Sequence, residues 1–418
     1  MAPPLVGVRV LDLAEAEAAL AGKILADLGA DVVKVEPPQG EVGRSRGPFL
    51  DDVPDPSRSL FFAFYNQGKR GVTLDLDHPD GRTLFIRLLA GADVVLENFG
   101  PRRRDAMGFS AAAVSAVNPG LVWTSLTAFG DAGPYRDWAG PDLVLAALGG
   151  AAFLAGEPDR QPVRIGWPQY WQHAAAEGAV ATLMALWDRR RTGRGRQVTV
   201  AAQLTVIRTL MNATGFWPLQ GEVPRRQGRW ARHGTQALPQ VMPCRDGYVF
   251  VGILGGAVGS SVNALAAWMR EEGAVAETIG SVDWREVDFR RLDEQVPDVE
   301  AFLAGVAREV EAFTRLRTKG ELFAGAAARR ILLAPINDAA DVLTHPQLAA
   351  RGFWRDAPGP ADDRRFSWPG PWIRLSATPL VEAPRPAPRL GEHNRAVFAD
   401  ELGLATSELD ALAAAGVV

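Results

Sequence analysis

The chain is 418 residues long, 47% hydrophobic and 22% charged, with a formal net charge of −4. That is the composition of a globular protein large enough for two domains, so disorder is not the default, and the mild acidity argues against phosphate-backbone binding and a nucleic-acid partner. The single cysteine, Cys244, excludes an intrachain disulfide framework, and without a leader-like start or a long apolar run the chain is expected to be cytoplasmic with no membrane partner.

In chain order, Val8–Leu13 predicts a short strand and Glu15–Leu28 an alanine-rich helix closed by Gly29. Asp31–Glu36 predicts a second strand ending at Pro37-Pro38, so the chain opens with a strand-helix-strand unit of a parallel sheet. No Gly-x-Gly-x-x-Gly separates the first strand from its helix, which removes the support for a nicotinamide or flavin site. A basic turn, Asn66–Gly71, leads into a strand over Val72–Leu76, followed by a helix over Asp80–Ala90 and a strand over Ala92–Leu96 ending in Glu97-Asn98-Phe99. Arg102-Arg103-Arg104 follows at the carboxyl end of that strand, where open α/β sheets place ligands. The run either meets an anionic group or is a solvated surface face.

Leu121–Thr127 predicts a further strand, Gly130–Gly140 a loop and Leu143–Leu154 a small-residue helix. An apolar strand over Pro162–Ile165 then delivers the chain to the turn Gly166-Trp167-Pro168, and a helix departs with Ala174, Ala175, Gly178, Ala181 and Ala185 spaced for close packing. A side chain at such a strand-to-helix turn is held rigidly and faces outward. The residue there is Trp171, whose indole is a donor only and serves neither as nucleophile, base nor metal ligand. His173 and Glu177 lie four apart on the helix and share a face, as an acid-base pair or as a structural one. Trp167 and Trp171, close together, offer the lining of an aromatic-substrate pocket, most other tryptophans are expected to fill core, and His233 and His393 are expected to hold loops or the helix that follows. Composition shifts near Gly221, Pro224–Gly234 is rich in Arg and Gly, and the strand-helix alternation is lost from Gly247 to about Ala327. The expected division is 1–220 with 331–418 as a large domain and 221–330 as a small one, with the return near Ile331–Pro335.

An ordered set of segments runs through nearly the whole chain: Gly29–Pro37, Asn66–Leu76 with Lys69-Arg70, Glu97-Asn98-Phe99, Phe129-Gly130 with Gly133-Pro134-Tyr135, Gly140 with Asp142, and Arg191–Gly195. Asp246-Gly247-Tyr248, Pro346-Gln347-Leu348, Arg351-Gly352-Phe353 and Leu390-Gly391-Glu392-His393 complete it. With these segments the chain resembles the family III CoA-transferases. The resemblance implies an α/β fold, with a Rossmann-like large domain built on a parallel sheet from both chain ends, a smaller inserted α+β domain, and two chains threaded as an interlocked-ring dimer. It implies a reaction in which an aspartate attacks an acyl-CoA thioester and an aspartyl-CoA thioester passes CoA to a second carboxylic acid. It also implies CoA contacts at Lys69, Arg70, Asn98, Phe99, Arg104 and Met107, with CoA or acyl-CoA as substrate, no permanently bound cofactor and no metal.

Three departures stand out against that pattern. The aspartate position, counted from either side, is Trp171; the arginine slot before Met107-Gly108 is Ala106; and the first helix begins with Glu15 and Glu17 where members have a Gly-Pro turn. Acidic side chains there oppose a polyphosphate by Coulomb repulsion. The resemblance therefore implies a catalytically silent subunit of a heteromer with a homologous aspartate-bearing partner. Some members are built so, including one of aromatic degradation that acts on succinyl-CoA and benzylsuccinate. The rivals are a homodimeric acyl-CoA racemase, lyase or hydrolase using His173, Glu177 or Asp142, and a non-enzymatic acyl-CoA-binding protein. Pro141 stands where the racemase branch carries a histidine.

Overall fold

The computed structural model describes residues 2–233, 236–361, 364–381 and 384–418; the side chain of His233 lies outside the described residues. The chain divides into two compact units, one comprising Met1–Ala152, Arg164–Val223 and Ala349–Val418, the other Phe153–Val163 and Pro224–Leu348.

The first unit begins with β1 (Arg9–Asp12), α1 (Leu20–Asp27), β2 (Asp31–Glu36), α2 (Leu60–Asn66), β3 (Arg70–Thr73), α3 (Pro79–Ala90) and β4 (Val94–Glu97). It continues with α4 (Pro101–Ala106), α5 (Ala111–Val117), β5 (Val122–Thr127), α6 (Asp142–Leu148), α7 (Ala151–Leu154, its last two residues across the boundary), α8 (Tyr170–Thr192), β6 (Arg196–Ala201), α9 (Ala202–Thr209) and α10 (Met211–Gln220). The strands form one parallel sheet in the order β3-β2-β1-β4-β5-β6. Consecutive strand residues point to opposite faces, so unbroken apolar strands supply two cores. Leu11, Val33, Val72, Val95 and Trp123 pack with Phe85 and Leu88 of α3, whereas Val10, Val32, Val94, Val122 and Leu126 pack with Ile24 and Leu25 of α1 and Ala175 and Ala179 of α8. α8 approaches closely because position 178 has no side chain: a Cβ there would lie 2.4 Å from Leu126 Cδ2.

The second unit contains β7 (Trp230–His233), β8 (Gln236–Pro239), β9 (Val241–Cys244), β10 (Gly247–Val251), α11 (Ser260–Glu271), α12 (Leu292–Gln295), α13 (Val299–Arg315), α14 (Lys319–Arg329), β11 (Leu333–Ile336), α15 (Ala339–Leu343) and α16 (Pro346–Ala350), the last ending across the boundary. Its three-stranded antiparallel sheet, β11-β10-β9, packs Met242, Val249 and Val251 against Trp268, Val306, Val310 and Phe313.

Back in the first unit, β12 (Trp354–Pro358) and β13 (Arg365–Pro369) make an antiparallel hairpin, followed by a π-helical turn over Arg395–Glu401 and α17 (Thr406–Ala414). The C-terminal segment covers the open edge of the parallel sheet at β3. His393 N–H donates to Gly71 O (2.9 Å), Gly71 N–H to His393 Nδ1 (3.1 Å), Thr73 N–H to Asn394 Oδ1 (2.9 Å) and Asp75 N–H to Val417 O (2.7 Å). An edge paired in this way presents no template to another strand.

Three expectations are corrected. The chain does not leave the small unit near Ile331–Pro335: Leu333 pairs with Val251 on β10, and the return falls at Ala349. The helix expected over Leu143–Leu154 is split at Gly149-Gly150, where Gly150 has φ +88°. Pro162–Ile165 is not a strand but an exposed irregular stretch. Just before it, Arg226 donates to the carbonyls of Glu157 (3.1 Å) and Arg160 (2.6 Å), which ties Phe153–Val163 into the second unit. Trp171 therefore follows a loop, as the second residue of α8.

Candidate active site

Gln169 precedes α8 without a side-chain cap of its own, so the free N–H groups of the first turn need an external acceptor. Asp142, at the start of α6, provides it: its Oδ1 accepts from Gln169 N–H (3.0 Å) and Tyr170 N–H (2.7 Å). Trp171 completes the clamp in the other direction, its Nε1–H donating to Gly140 O at 2.9 Å. The half-buried indole packs against both the α1/α8 core and the Leu145, Ala174 and Val206 cluster. The segment 140–142 and the head of α8 are thus tied at two points, with Trp171 as a strut. His173 is exposed, its ring 6.4 Å from that of Tyr170, and Glu177 turns away to an ion pair with Arg208 of α9 (2.9 Å). The structure does not bring His173, Glu177 and Asp142 together as an acid-base group.

The strand order places the topological switch between β1 and β4, and ligands of doubly wound sheets lie outside the carboxyl ends of those strands. A crevice of about 270 Å³ opens there, lined by residues that include Glu15, Glu36, Asp75, Asp77, Asn98, Phe99, Arg103 and Met107. Asn98 holds the loop after β1, accepting from Glu15 N–H (2.9 Å) and donating to Glu15 O (3.3 Å). Phe99 lies 5.9 Å from the Arg103 guanidinium, and Met107 is buried in the wall. Arg103, the one arginine in the lining among the described residues, is drawn to Asp77 at 3.2 Å. Burial raises the Glu15 carboxyl pKa, with Glu41 and Glu36 adding to the effect against the pull of Lys34 and Arg103.

Three of the residues assigned to CoA by resemblance lie elsewhere. Lys69 is fully buried, its ammonium satisfied by Asp12 Oδ2 (2.6 Å), Ala19 O (2.8 Å) and Asn66 Oδ1 (2.9 Å). Burial lowers its pKa to about 8 against the pull of Asp12. Arg70 sits at the amino end of β3, away from the crevice, forked onto Asp31 (2.9 and 2.5 Å) and paired with Glu401. Arg104 turns under the sheet, its Nη1 donating to Ser125 Oγ at 3.0 Å beside Glu97, whose pKa burial raises. Along α4, successive side chains are rotated by about 100°, so of three adjacent arginines only Arg103 faces the crevice. The run lies on α4, and helical phase turns Arg103 rather than Arg104 to the crevice.

Among the described residues, no helix is long and apolar enough to cross a membrane. The sequence profile of CoA-transferase family III matches residues 5–394. A succinyl-CoA:(R)-benzylsuccinate CoA-transferase subunit, BbsE of Thauera aromatica, is 34% identical over 98% of this chain and 97% of its own. A succinate–glutarate CoA-transferase of Agrobacterium fabrum is 32% identical over 95% and 96%. The crystal structure of a CaiB/BaiF family protein from Brucella suis superposes with a TM-score of 0.78 at 30% identity, covering 96% of this chain and 100% of that one.

Proposed function

Because the chain belongs to CoA-transferase family III, we propose that it serves in CoA transfer as the silent subunit of a heteromer whose homologous partner carries the nucleophilic aspartate. The observation that carries this reading is Trp171: its indole N–H is committed to Gly140 O, and a donor-only group opens no thioester. The candidate replacements support it as well, since Asp142 caps α8 and Glu177 is paired with Arg208. The crevice at the switch point is rich in carboxylates, and its one lining arginine faces Asp77, an arrangement unfavourable to a polyphosphate. CoA is therefore bound by the partner.

The similarity to a subunit of succinyl-CoA:(R)-benzylsuccinate CoA-transferase supports succinyl-CoA as donor and a benzylsuccinate-like acid as acceptor. The partner forms an interlocked dimer with this chain and covers the apolar face of α8, where Val180, Met184 and Trp187 are exposed beside a cleft of about 590 Å³ containing Leu20, Ile24 and Trp372. The test is native mass spectrometry of the chain from its own source, followed by a CoA-transfer assay of the isolated species. A second chain of similar size, with turnover abolished by changing that chain's aspartate, is the expected result. A homodimer that turns over acyl-CoA alone overturns the proposal.

A further inference from the structure

We propose that an ordered water molecule is bound beneath the turn that follows β1, bridging the ammonium of Lys34 and the carboxylate of Glu41. The site takes a neutral ligand that both donates and accepts, and it lies behind the crevice wall to which Leu13 and Glu15 belong.

The turn is held from the interior by polar side chains. Lys34 Nζ donates to Ala14 O (2.6 Å), Ala16 N–H donates to Glu41 Oε2 (3.1 Å), and Glu15 N–H between them donates to Asn98 Oδ1 (2.9 Å). Ala16 has φ +52°, a left-handed conformation that a residue with a Cβ keeps only where its surroundings impose it. Two Cα steps span at most about 7.6 Å, so the ammonium and the carboxylate are anchored to the same short piece of backbone.

Both groups are left with unused hydrogen-bonding capacity. Lys34 is fully buried, and of the three donors on its ammonium a single one is used among the described residues. None of their carboxylate oxygens lies within ion-pair distance of its Nζ. Glu41 is 3% exposed; its Oε2 also accepts from Gly43 N–H (2.8 Å), whereas its buried Oε1 accepts from no described residue. Burial works against the charge on Lys34, but Glu41, Asp12, Glu36 and Glu15 outweigh it and raise the pKa, so the group stays an ammonium. Buried charges need their hydrogen bonds completed, and buried water does this with typically about two to four polar partners. An ion does not suit the position. A cation would meet Lys34 and an anion would meet Glu41, whereas water takes a hydrogen bond from Lys34 Nζ and gives one to Glu41 Oε1.

The test is a high-resolution crystal structure of the full chain, with its partner chain where the two co-purify, and a second from crystals grown in bromide. The expected result is one ordered density peak within about 3.2 Å of both Lys34 Nζ and Glu41 Oε1, without anomalous signal from bromine. Any other arrangement, whether a direct Lys34–Glu41 ion pair, no peak or a bromide on Lys34, overturns the proposal. The double variant Lys34→Met/Glu41→Leu removes both charges together, so neither is left buried alone, and its structure is expected to lose the peak. A peak retained there shows that other groups hold the water and overturns the bridge. The parent structures decide the proposal whether or not that variant folds.

Discussion

At position 171 a large side chain performs a structural task, tying the head of α8 to Gly140 O. Trp171→Ala removes a half-buried ring and the bond to Gly140 O, and is expected to cost about 2 kcal/mol, less than the roughly 3–5 kcal/mol of a fully buried aromatic. Urea denaturation measures it. Trp171→Asp should not create a second active centre: with Asp142 spent on capping, turnover of the assembled complex is expected to stay within about two-fold of the parent. A several-fold gain in rate would mean that the surrounding groups are competent after all. Lys69 separates two roles more sharply. Lys69→Met leaves Asp12 buried without its counter-ion, and loss of one member of a buried pair costs about 3–5 kcal/mol. The variant should therefore fail in thermal melts. A Lys69 that served only to hold ligand would weaken acyl-CoA binding and leave the melt unchanged.

At the scale of elements, α8 and the sheet were legible because their signals are dense and local. The small residues Ala174, Ala175, Gly178, Ala181 and Ala185 announced a closely packed face, and all but the half-buried Ala181 are buried. Gly178→Ala should lower stability by about 1–3 kcal/mol, since its Cβ would lie 2.4 Å from Leu126 Cδ2. Gly166→Ala, with nothing within 4 Å, is the neutral control. What stayed illegible is what depends on partners distant in sequence. Pro162–Ile165 has a strand's composition but no neighbouring strand to pair with, and Arg104 differs from Arg103 only in helical phase. The cap on α8 comes from Asp142, which lies 27 residues before Gln169, beyond the reach of any spacing rule. The edge cover at β3 makes a pH prediction. Burial depresses the His393 pKa below its ordinary 6.5, so the unfolded chain takes up the proton first. This contribution to stability is present above pH 6.5 and is lost as pH falls through the lower folded value. Amide exchange at Gly71 should accelerate on acidification, and His393→Gln should flatten that dependence.

For the whole molecule, assembly is the property the single chain leaves open on its surface. Met184 and Trp187 are 67% and 74% exposed on a helix whose opposite face is buried, and isolated chains seldom keep so much apolar area in water. The double variant Met184→Glu/Trp187→Glu is expected to weaken the partner contact on that face, seen as a lower melting temperature of the assembled complex with unchanged far-ultraviolet circular dichroism below the transition. The edge cover at β3 also constrains when the molecule can be completed. His393 meets Gly71 across 322 residues of chain, and translation at about 5–20 residues per second delays that meeting by roughly a quarter to a full minute. During that interval the sheet waits on the ribosome with β3 bare, while most of the second unit, continuous from Pro224 to Leu348, emerges earlier and can fold first. A chaperone that shields unpaired strands during synthesis would therefore act on the amino-terminal strands of this chain, and its work would end when the last helix leaves the exit tunnel.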